Sequence, residues 1–227
     1  MHYCGIFLLS LQFQTLLKSK MKLNPTLLQY IDEQVLPATL RLTPERKAAL
    51  EPLIAYLKQE LATANPPRLV FICTHNSRRS HLSQIWASTA AAYYGIQVET
   101  YSGGTEATAF NPRAVRAVEQ AGFGIENPGG ENPRYIVTAG DTLKLEAFSK
   151  RFDDEANPTA DFAAVMTCSD ADEACPFVPG ASQRIRLLYN DPKEADDTPQ
   201  EQERYAERCL QIASELFYAF QKVSNKQ

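Results

Sequence analysis

The segment Arg-Leu-Val-Phe-Ile-Cys-Thr-His-Asn-Ser-Arg-Arg-Ser spans residues 68–80 and joins a predicted strand to a predicted helix. Its apolar run Leu69–Ile72 is typical of a buried parallel strand, and helical spacing follows from about Ser80 to Tyr94. Backbone N–H groups in a loop of this kind bind a tetrahedral oxyanion at the helix N-terminus. We therefore expect an oxyanion-binding loop formed by Thr74, His75, Asn76, Ser77, Arg78, Arg79 and Ser80.

Cys73 ends the predicted strand and stands at the start of this loop. The helix dipole, the Arg79 guanidinium and the Ser80 hydroxyl all favour its thiolate form. Arg79 also offers a planar fork that grips two oxygens of an anion. A thiolate beneath a bound oxyanion is a nucleophile aimed at its central atom. The alternative interpretation is a buried cysteine followed by surface arginines.

Three further strands are predicted by short apolar or β-branched runs, at Val98–Tyr101, Phe162–Thr167 and Ile185–Leu188. Helices are predicted at Pro112–Ala121 and Glu201–Val223. Strands that alternate with helices indicate βαβ units and a parallel sheet. The expected fold is therefore an α/β three-layer sandwich with a central four-stranded parallel sheet.

Four residues with reactive or polar side chains follow the predicted strands directly, namely Cys73, Ser102, Cys168 and Asp191. The carboxyl ends of parallel strands meet at one edge of a sheet, and ligands bind at that edge in open α/β folds. We therefore expect these four residues to lie in one site.

The chain before the sheet is predicted to be helical and to precede a catalytic domain that spans residues 66–227. Residues 21–65 carry apolar side chains at helical spacing, with an interruption expected at Pro37. They are interpreted as a two-helix extension, which either packs on the main domain or forms a dimer contact. Residues 1–20 are interpreted as an upstream extension, since the apolar run within them lacks the flanks of a signal peptide.

The composition is that of an ordinary globular protein, with 227 residues, a net charge of −4 and a pI near 5.5. This acidic balance argues against nucleic acid as a partner, and no stretch reaches the roughly 20 apolar residues that a bilayer span needs. Five cysteines are too few, and odd in number, for a disulfide-stapled secreted fold, so a cytoplasmic location is expected. Three histidines leave too few ligands for a histidine-built metal site, and no cofactor is expected.

The loop after Cys73 resembles the phosphate-binding loop of the low-molecular-weight protein tyrosine phosphatase superfamily, which includes the thioredoxin-coupled arsenate reductases. The resemblance runs from about residue 68 to residue 223. It implies that Asp191, followed by Pro192, is a general acid in a loop that covers the anion site. The sequence departs from the family at His75, where relatives usually carry glycine. It also lacks the tyrosine that follows the Asp-Pro pair in phosphatases of this family and stacks on phosphotyrosine.

A second pair of thiols, Cys168 and Cys175, follows the third predicted strand. Thioredoxin-coupled arsenate reductases carry a similar pair at this place, which implies that Cys168 attacks Cys73 and that Cys175 then resolves the disulfide. Seven residues of helix separate the sulfurs by roughly 10 Å, whereas a disulfide needs Cα atoms within about 7 Å, so pairing requires the segment to unwind. The alternative is two unrelated core cysteines, and the spacing does not fit a metal site.

Four other residues receive a structural interpretation. Ser102 either holds Asn76 or caps a turn. His81 is expected on the surface of a helix, and Trp86 is expected in the core. Gln84 stands where some relatives use a glutamate to bind potassium, so no such ion is expected.

Three functions are compatible with the sequence. The first is an arsenate reductase that uses thioredoxin as reductant and the series Cys73, Cys168 and Cys175. The second is a protein tyrosine phosphatase that needs only Cys73, Arg79 and Asp191. The third is an anion-binding scaffold module whose N-terminal helices bind a partner. The cysteine pair favours the first over the second, and the intact nucleophile, arginine and acid argue against the third.

Overall fold

The computed structural model describes residues 23–63 and 65–224. Its centre is a four-stranded parallel sheet in the order β2-β1-β6-β7. These strands are β1 (Arg68–Cys73), β2 (Glu99–Gly104), β6 (Phe162–Met166) and β7 (Ala181–Arg186). The register pairs Cys73 with Gly104, so the carboxyl ends of β1 and β2 coincide. The predicted α/β class and its four-stranded parallel sheet are confirmed.

Alternate side chains of β1 face opposite sides of the sheet, as a strand buried on both faces requires. Leu69 and Phe71 join a large core against the long helices, whereas Val70 and Ile72 join a smaller apolar cluster on the other face. The helices around the sheet are α4 (Arg79–Tyr94), α5 (Pro112–Gln120), α6 (Ser169–Ala174) and α7 (Glu201–Ser224). The sheet therefore forms the middle of three layers.

The N-terminal helices share the large core, and the second and third of them pack on α7. They are α1 (Pro25–Tyr30), α2 (Leu36–Leu40) and α3 (Pro44–Glu60). Asn24 and Thr43 begin α1 and α3 by accepting backbone N–H bonds, from Leu27 and Arg46 respectively. The predicted dimer contact and the predicted domain division at residue 66 remain predictions.

Pro37 does not interrupt the first helix, contrary to the expectation from sequence. The chain passes from α1 to α2 through a π-helical turn at Ile31–Val35. In that turn the N–H of Leu36 reaches the carbonyl of Ile31, five residues back. The wider turn accommodates a residue that has no N–H to donate, so the helix continues to Leu40.

A second sheet was not predicted. It is antiparallel, in the order β3-β4-β5, with β3 at Gly124–Glu126, β4 at Tyr135–Thr138 and β5 at Lys144–Ala147. Its strands are three or four residues long, and the connection from β3 to β4 contains Pro128, Gly129, Gly130 and Pro133. Such short runs among glycine and proline carry too little periodicity to be recognised.

Two strand boundaries also differ from the prediction. The second strand was predicted at Val98–Tyr101 and lies at Glu99–Gly104, and the fourth was predicted at Ile185–Leu188 and lies at Ala181–Arg186. The fourth strand, β7, is an edge strand with a polar middle, Ser182-Gln183-Arg184, so its apolar pattern begins too late.

In the described part of the chain, no helix combines the length and the apolar character that crossing a bilayer demands. The interpretation of residues 1–20 as an upstream extension concerns residues that lie outside the described ones.

Candidate active site

The loop after β1 is held together by its own side chains. Cys73 is buried, with its Sγ 3.1 Å from Ser80 Oγ, and Asn76 Nδ2 donates to the same hydroxyl over 2.8 Å. Asn76 adopts a positive φ of 43°, which asparagine tolerates better than most residues. Its Oδ1 accepts the backbone N–H of Lys150 at 2.9 Å. The loop therefore curves around the thiol and is tied to a segment outside it.

Arg79 is the first residue of α4 and points to the loop that follows β7. Its Nη2 donates to Asp191 Oδ2 at 2.7 Å, and its Nη1 donates to the carbonyl of Tyr189 at 3.1 Å. Asp191 in turn begins a 3₁₀ turn, Pro192–Ala195, by accepting the N–H of Lys193. The structure thus brings the predicted arginine and the predicted acid into direct contact.

Three loop residues direct their side chains away from Cys73. His75 is half-buried, with its Nε2 3.5 Å from a Glu106 carboxylate oxygen. Ser77 Oγ donates to the carbonyl of Ala109. Arg78 Nε donates to Tyr205 Oη at 2.8 Å, and its Nη2 lies 3.4 Å from Asp196. His75 and Ser77 therefore offer an anion their backbone, whereas the Arg78 guanidinium also stands near the predicted acid, with Nε 3.9 Å from Asp191 Oδ1.

The second thiol lies against the same loop. Cys168 is buried and begins α6, where its Sγ accepts the N–H of Ala171, and it lies 3.5 Å from the hydroxyl of Thr74. Cys175 is at the far end of this six-residue helix and is partly exposed. Burial raises the pKa of the Cys175 thiol above its usual value, although the charges of Arg184 and Arg151 act in the opposite direction. The cysteines that the structure describes are all free thiols.

His81 is buried, so the expectation of a surface residue is wrong. Its ring stacks on Phe110 with centroids 4.3 Å apart, and its Nδ1 lies 3.3 Å from Ser102 Oγ. Burial and the nearby charge of Lys150 lower the pKa of His81 to about 3. Ser102 is bonded to His81, and the side chain of Asn76 bonds Ser80 and Lys150 instead.

Two other residues that the sequence singled out lie in the interior. Trp86 is buried in the core as expected. Gln84 is also buried, and its amide donates to the carbonyl of Thr100 at 3.0 Å. Over residues 23–63 and 65–224, no group of three or more His, Cys, Asp or Glu side chains converges as ligands for a metal.

The segment 148–152, which supports the loop, was missed from the sequence. Ser149 Oγ donates to the carbonyl of His75 at 2.9 Å, and the carbonyl of Lys150 accepts the N–H of Gly104. No motif marks these residues. The one available signal was the pair Gly103-Gly104, because a Cβ on Gly103 would stand 2.8 Å from the backbone nitrogen of Phe152.

A cleft of about 540 Å³ opens beside Arg79 and Asp191. Its wall carries the carboxylates of Asp170, Asp191 and Glu194 and the cations of Arg79 and Lys193. The aromatic residue in this wall is Tyr189, whose side chain is almost wholly buried. The cleft therefore suits a small charged ligand better than a flat aryl group.

Several curated bacterial arsenate reductases are similar to this chain. The arsenate reductase of Halalkalibacterium halodurans is 29% identical over 137 residues, which cover 60% of this chain and 82% of that protein. The arsenate reductase of Bacillus subtilis is 29% identical over 140 residues, covering 62% and 84%. No family model matches the chain.

Two solved structures illustrate the structural neighbours. A thioredoxin-dependent arsenate reductase of Corynebacterium glutamicum is 21% identical with a TM-score of 0.41, covering 78% of this chain and 70% of that one. The YwlE arginine phosphatase is 15% identical with a TM-score of 0.49, covering 70% and 97%. The similarity to curated arsenate reductases, together with a cysteine–arginine loop at the end of a parallel strand, supports an enzyme of the low-molecular-weight protein tyrosine phosphatase superfamily that is close to its arsenate reductases.

Proposed function

We propose that this enzyme reduces arsenate to arsenite with the thiols of Cys73, Cys168 and Cys175. The observation that carries the proposal is the position of Cys168, which is buried against Thr74 of the anion loop with its Sγ 3.5 Å from the Thr74 hydroxyl. A phosphatase needs one nucleophilic thiol. A reductase needs further thiols within reach of the first, because the two electrons come from thiols that attack in sequence.

The proposed reaction begins with arsenate in the loop, gripped by backbone N–H groups and Arg79. Cys73 attacks the arsenic atom, and one arsenate oxygen leaves as water after Asp191 supplies a proton. Cys168 then attacks the sulfur of Cys73. The electron pair of the sulfur–arsenic bond stays with arsenic, which departs as arsenite.

Cys175 completes the cycle by attacking Cys168, which forms the Cys168–Cys175 disulfide and releases Cys73 as a thiolate. The two cysteines flank α6, a helix of six residues. A helix of that length holds its ends roughly 10 Å apart, and a disulfide needs Cα atoms within about 7 Å, so α6 must unwind when the bond forms. Thioredoxin is the proposed reductant of this disulfide, and a reducing cytoplasm is the proposed location.

Hydrolysis of aryl phosphates is the second candidate. It is favoured by the direct contact between Arg79 and Asp191, since an anion-binding arginine and an acid beside a thiol are sufficient for that reaction. The buried ring of Tyr189 opposes it, because the cleft wall offers no exposed aromatic surface for an aryl group.

Parallel assays separate the two reactions. Arsenate-dependent NADPH oxidation is measured with thioredoxin and its reductase, beside hydrolysis of para-nitrophenyl phosphate. Cys73→Ser should abolish both activities, because a hydroxyl is a far weaker nucleophile than a thiolate. Cys168→Ser and Cys175→Ser should each stop arsenate turnover and spare hydrolysis. Cys209→Ala is the matched control, since this thiol is buried against Trp86 and should be dispensable for both.

Peptide mapping by mass spectrometry then identifies the disulfides. After exposure to arsenate, the wild type should contain Cys168–Cys175, and Cys175→Ser should accumulate Cys73–Cys168. If arsenate leaves all three thiols free in the wild type, the reductase proposal fails and phosphatase activity becomes the better account.

A further inference from the structure

Arg46, on the N-terminal helix α3, reaches the segment that carries the proposed acid. Its Nε and Nη2 donate to the two carboxylate oxygens of Glu215 at 2.8 and 2.6 Å, and the side chain of Glu215 is fully buried. Its Nη1 lies 3.3 Å from the carbonyl of Leu188, to which it donates. Its guanidinium carbon stands 5.3 Å from the centre of the Tyr189 ring. Arg46 therefore connects α3 to α7 and to the segment that follows β7.

The same segment is held from the other side by Arg79. The carbonyl of Tyr189 accepts from Arg79 Nη1 at 3.1 Å, and Asp191 accepts from Arg79 Nη2 at 2.7 Å. Arg79 Nε is buried and has no hydrogen-bond partner among the described residues. The orientation of Arg79 thus depends on two acceptors that both lie within residues 189–191.

The bonds to Glu215 fix the position of Arg46, so Arg46 can in turn fix the position of the residues that it contacts. The paired bonds to Glu215 are planar and charge-assisted, which sets the direction of the guanidinium. Gln211 Nε2 donates at 3.0 Å to Glu215 Oε1, the oxygen that also accepts from Arg46 Nε. This bond holds the Glu215 carboxylate in place. A lysine ammonium at position 46 could neutralise Glu215 but could not keep this geometry and also reach Leu188.

We propose that Arg46 is a positioning residue for the active site, through which the N-terminal helices set the places of Tyr189 and Asp191 and so the orientation of Arg79. The inference rests on the proposed roles of Arg79 and Asp191. It assigns the N-terminal helices a part in anion binding although, within residues 23–63, no residue lines the cleft. Anion affinity and turnover should both depend on a side chain that does not touch the anion.

The test uses the full chain with Arg46→Met and Arg46→Lys, and Tyr56→Phe as the matched control. Tyr56 also lies on α3, but its hydroxyl donates to the carbonyl of Arg68 at the start of β1, away from residues 188–191. Binding of inorganic phosphate is measured by calorimetry, and para-nitrophenyl phosphate hydrolysis gives kcat and KM. Circular dichroism establishes the folded fraction of each variant before the comparison.

Arg46→Met should weaken phosphate binding by about 10- to 100-fold, raise KM and lower kcat, as expected when reacting groups are misplaced by about 1 Å. Arg46→Lys should fold, because it keeps a cation beside Glu215, and should recover only part of the loss. Tyr56→Phe should keep wild-type constants. A purely structural role for Arg46 would lower kcat in proportion to the folded fraction and leave the phosphate dissociation constant unchanged, which would overturn the proposal.

The phosphate measurement separates this inference from the proposed reaction. If arsenate is not reduced but Arg46→Lys still weakens phosphate binding, the positioning role stands and the reductase proposal fails. If arsenate is reduced while Arg46→Lys binds phosphate as the wild type does, the reductase proposal stands and the positioning role fails.

Discussion

His81 shows how the core beneath the anion loop should respond to acid. Its pKa is lowered to about 3 in the folded chain, first by burial and then by the charge of Lys150, whereas the usual value for histidine is 6.5. Below pH 6.5 the unfolded chain therefore binds a proton that the folded chain does not. The stability associated with a neutral His81 is fully present above pH 6.5 and is lost progressively as the pH falls toward 3.

Replacing His81 by asparagine should flatten this part of the pH dependence. Asparagine does not titrate and can still bond Ser102 from a position close to that of Nδ1. The free energy of unfolding, measured in urea at pH 7, 6 and 5, should fall less steeply in the variant, by up to about 1.4 kcal/mol per pH unit. Comparing slopes cancels the constant cost of the substitution itself. Parallel curves for the two proteins would show that His81 is protonated in the folded state.

At the scale of single residues, the sequence was informative where a reactive or charged side chain lies in the loop that follows a strand. The contact between Arg79 and Asp191 could be expected because the order of strands and loops brings both residues to one edge of the sheet. The site that they are predicted to form with Cys73 stays a prediction. The burial of His81 could not be read in the same way. It faces Phe110 and Ser102, which come from later parts of the chain and become neighbours only when β2 pairs with β1.

Among the elements, the end of β2 places a strict limit on side-chain size. A Cβ at Gly104 would stand 2.3 Å from the carbonyl oxygen of Glu106, 2.6 Å from the nitrogen of Asn76 and 2.7 Å from the carbonyl oxygen of Thr74. All three are backbone atoms, so no side chain can rotate away. The anion loop itself must move if this position carries a methyl group.

Gly104→Ala should therefore weaken phosphate binding and slow aryl phosphate hydrolysis, and it should lower stability by about 1–3 kcal/mol, as overpacking does. Gly129→Asn is the matched control. No atom lies within 4 Å of a Cβ there, and asparagine tolerates the positive φ of 80° better than most residues. Wild-type activity in Gly104→Ala would mean that the loop does not need its present close contact with β2.

The elements also differ in how well the sequence predicts them. β1 and α4 were placed to within a residue, because a continuous apolar run is followed directly by a helical pattern. β7 was displaced, since Ser182, Gln183 and Arg184 give this edge strand a polar centre. Nothing local could reveal that Pro37 would be accommodated by a π-helical turn, because the outcome depends on the packing of Ile31 and Val35 in the core.

For the whole molecule, the open question is whether the N-terminal helices unfold with the sheet. Leu27 and Ile31 lie in the same apolar core as Leu69 and Phe71 of β1. Trp86, the single tryptophan, has its ring 6.0 Å from Tyr30 on α1 and 6.1 Å from Phe217 on α7. Its fluorescence therefore reports on both parts of the chain at once.

Leu27→Ala should destabilise the entire chain by about 2–5 kcal/mol, the usual range for a fully buried leucine. Tryptophan fluorescence and far-ultraviolet circular dichroism should follow one coincident transition in urea. Leu40→Ala is the control, since this side chain is 83% exposed and its loss should leave the midpoint unchanged. Two separate transitions would instead establish residues 21–65 as a unit that folds independently.

The ion pair between Arg79 and Asp191 should determine which anions bind at Arg79. An incoming anion competes for the guanidinium with a carboxylate that is tethered 2.7 Å away and so has a very high effective concentration. A singly charged ion such as chloride offers no more charge than that carboxylate and gains little by displacing it. A doubly charged tetrahedral anion carries enough oxygens to bind the guanidinium and the loop N–H groups together. Its measured affinity equals its intrinsic affinity multiplied by the fraction of molecules in which the pair is open, so the proposed acid would also select which anions bind.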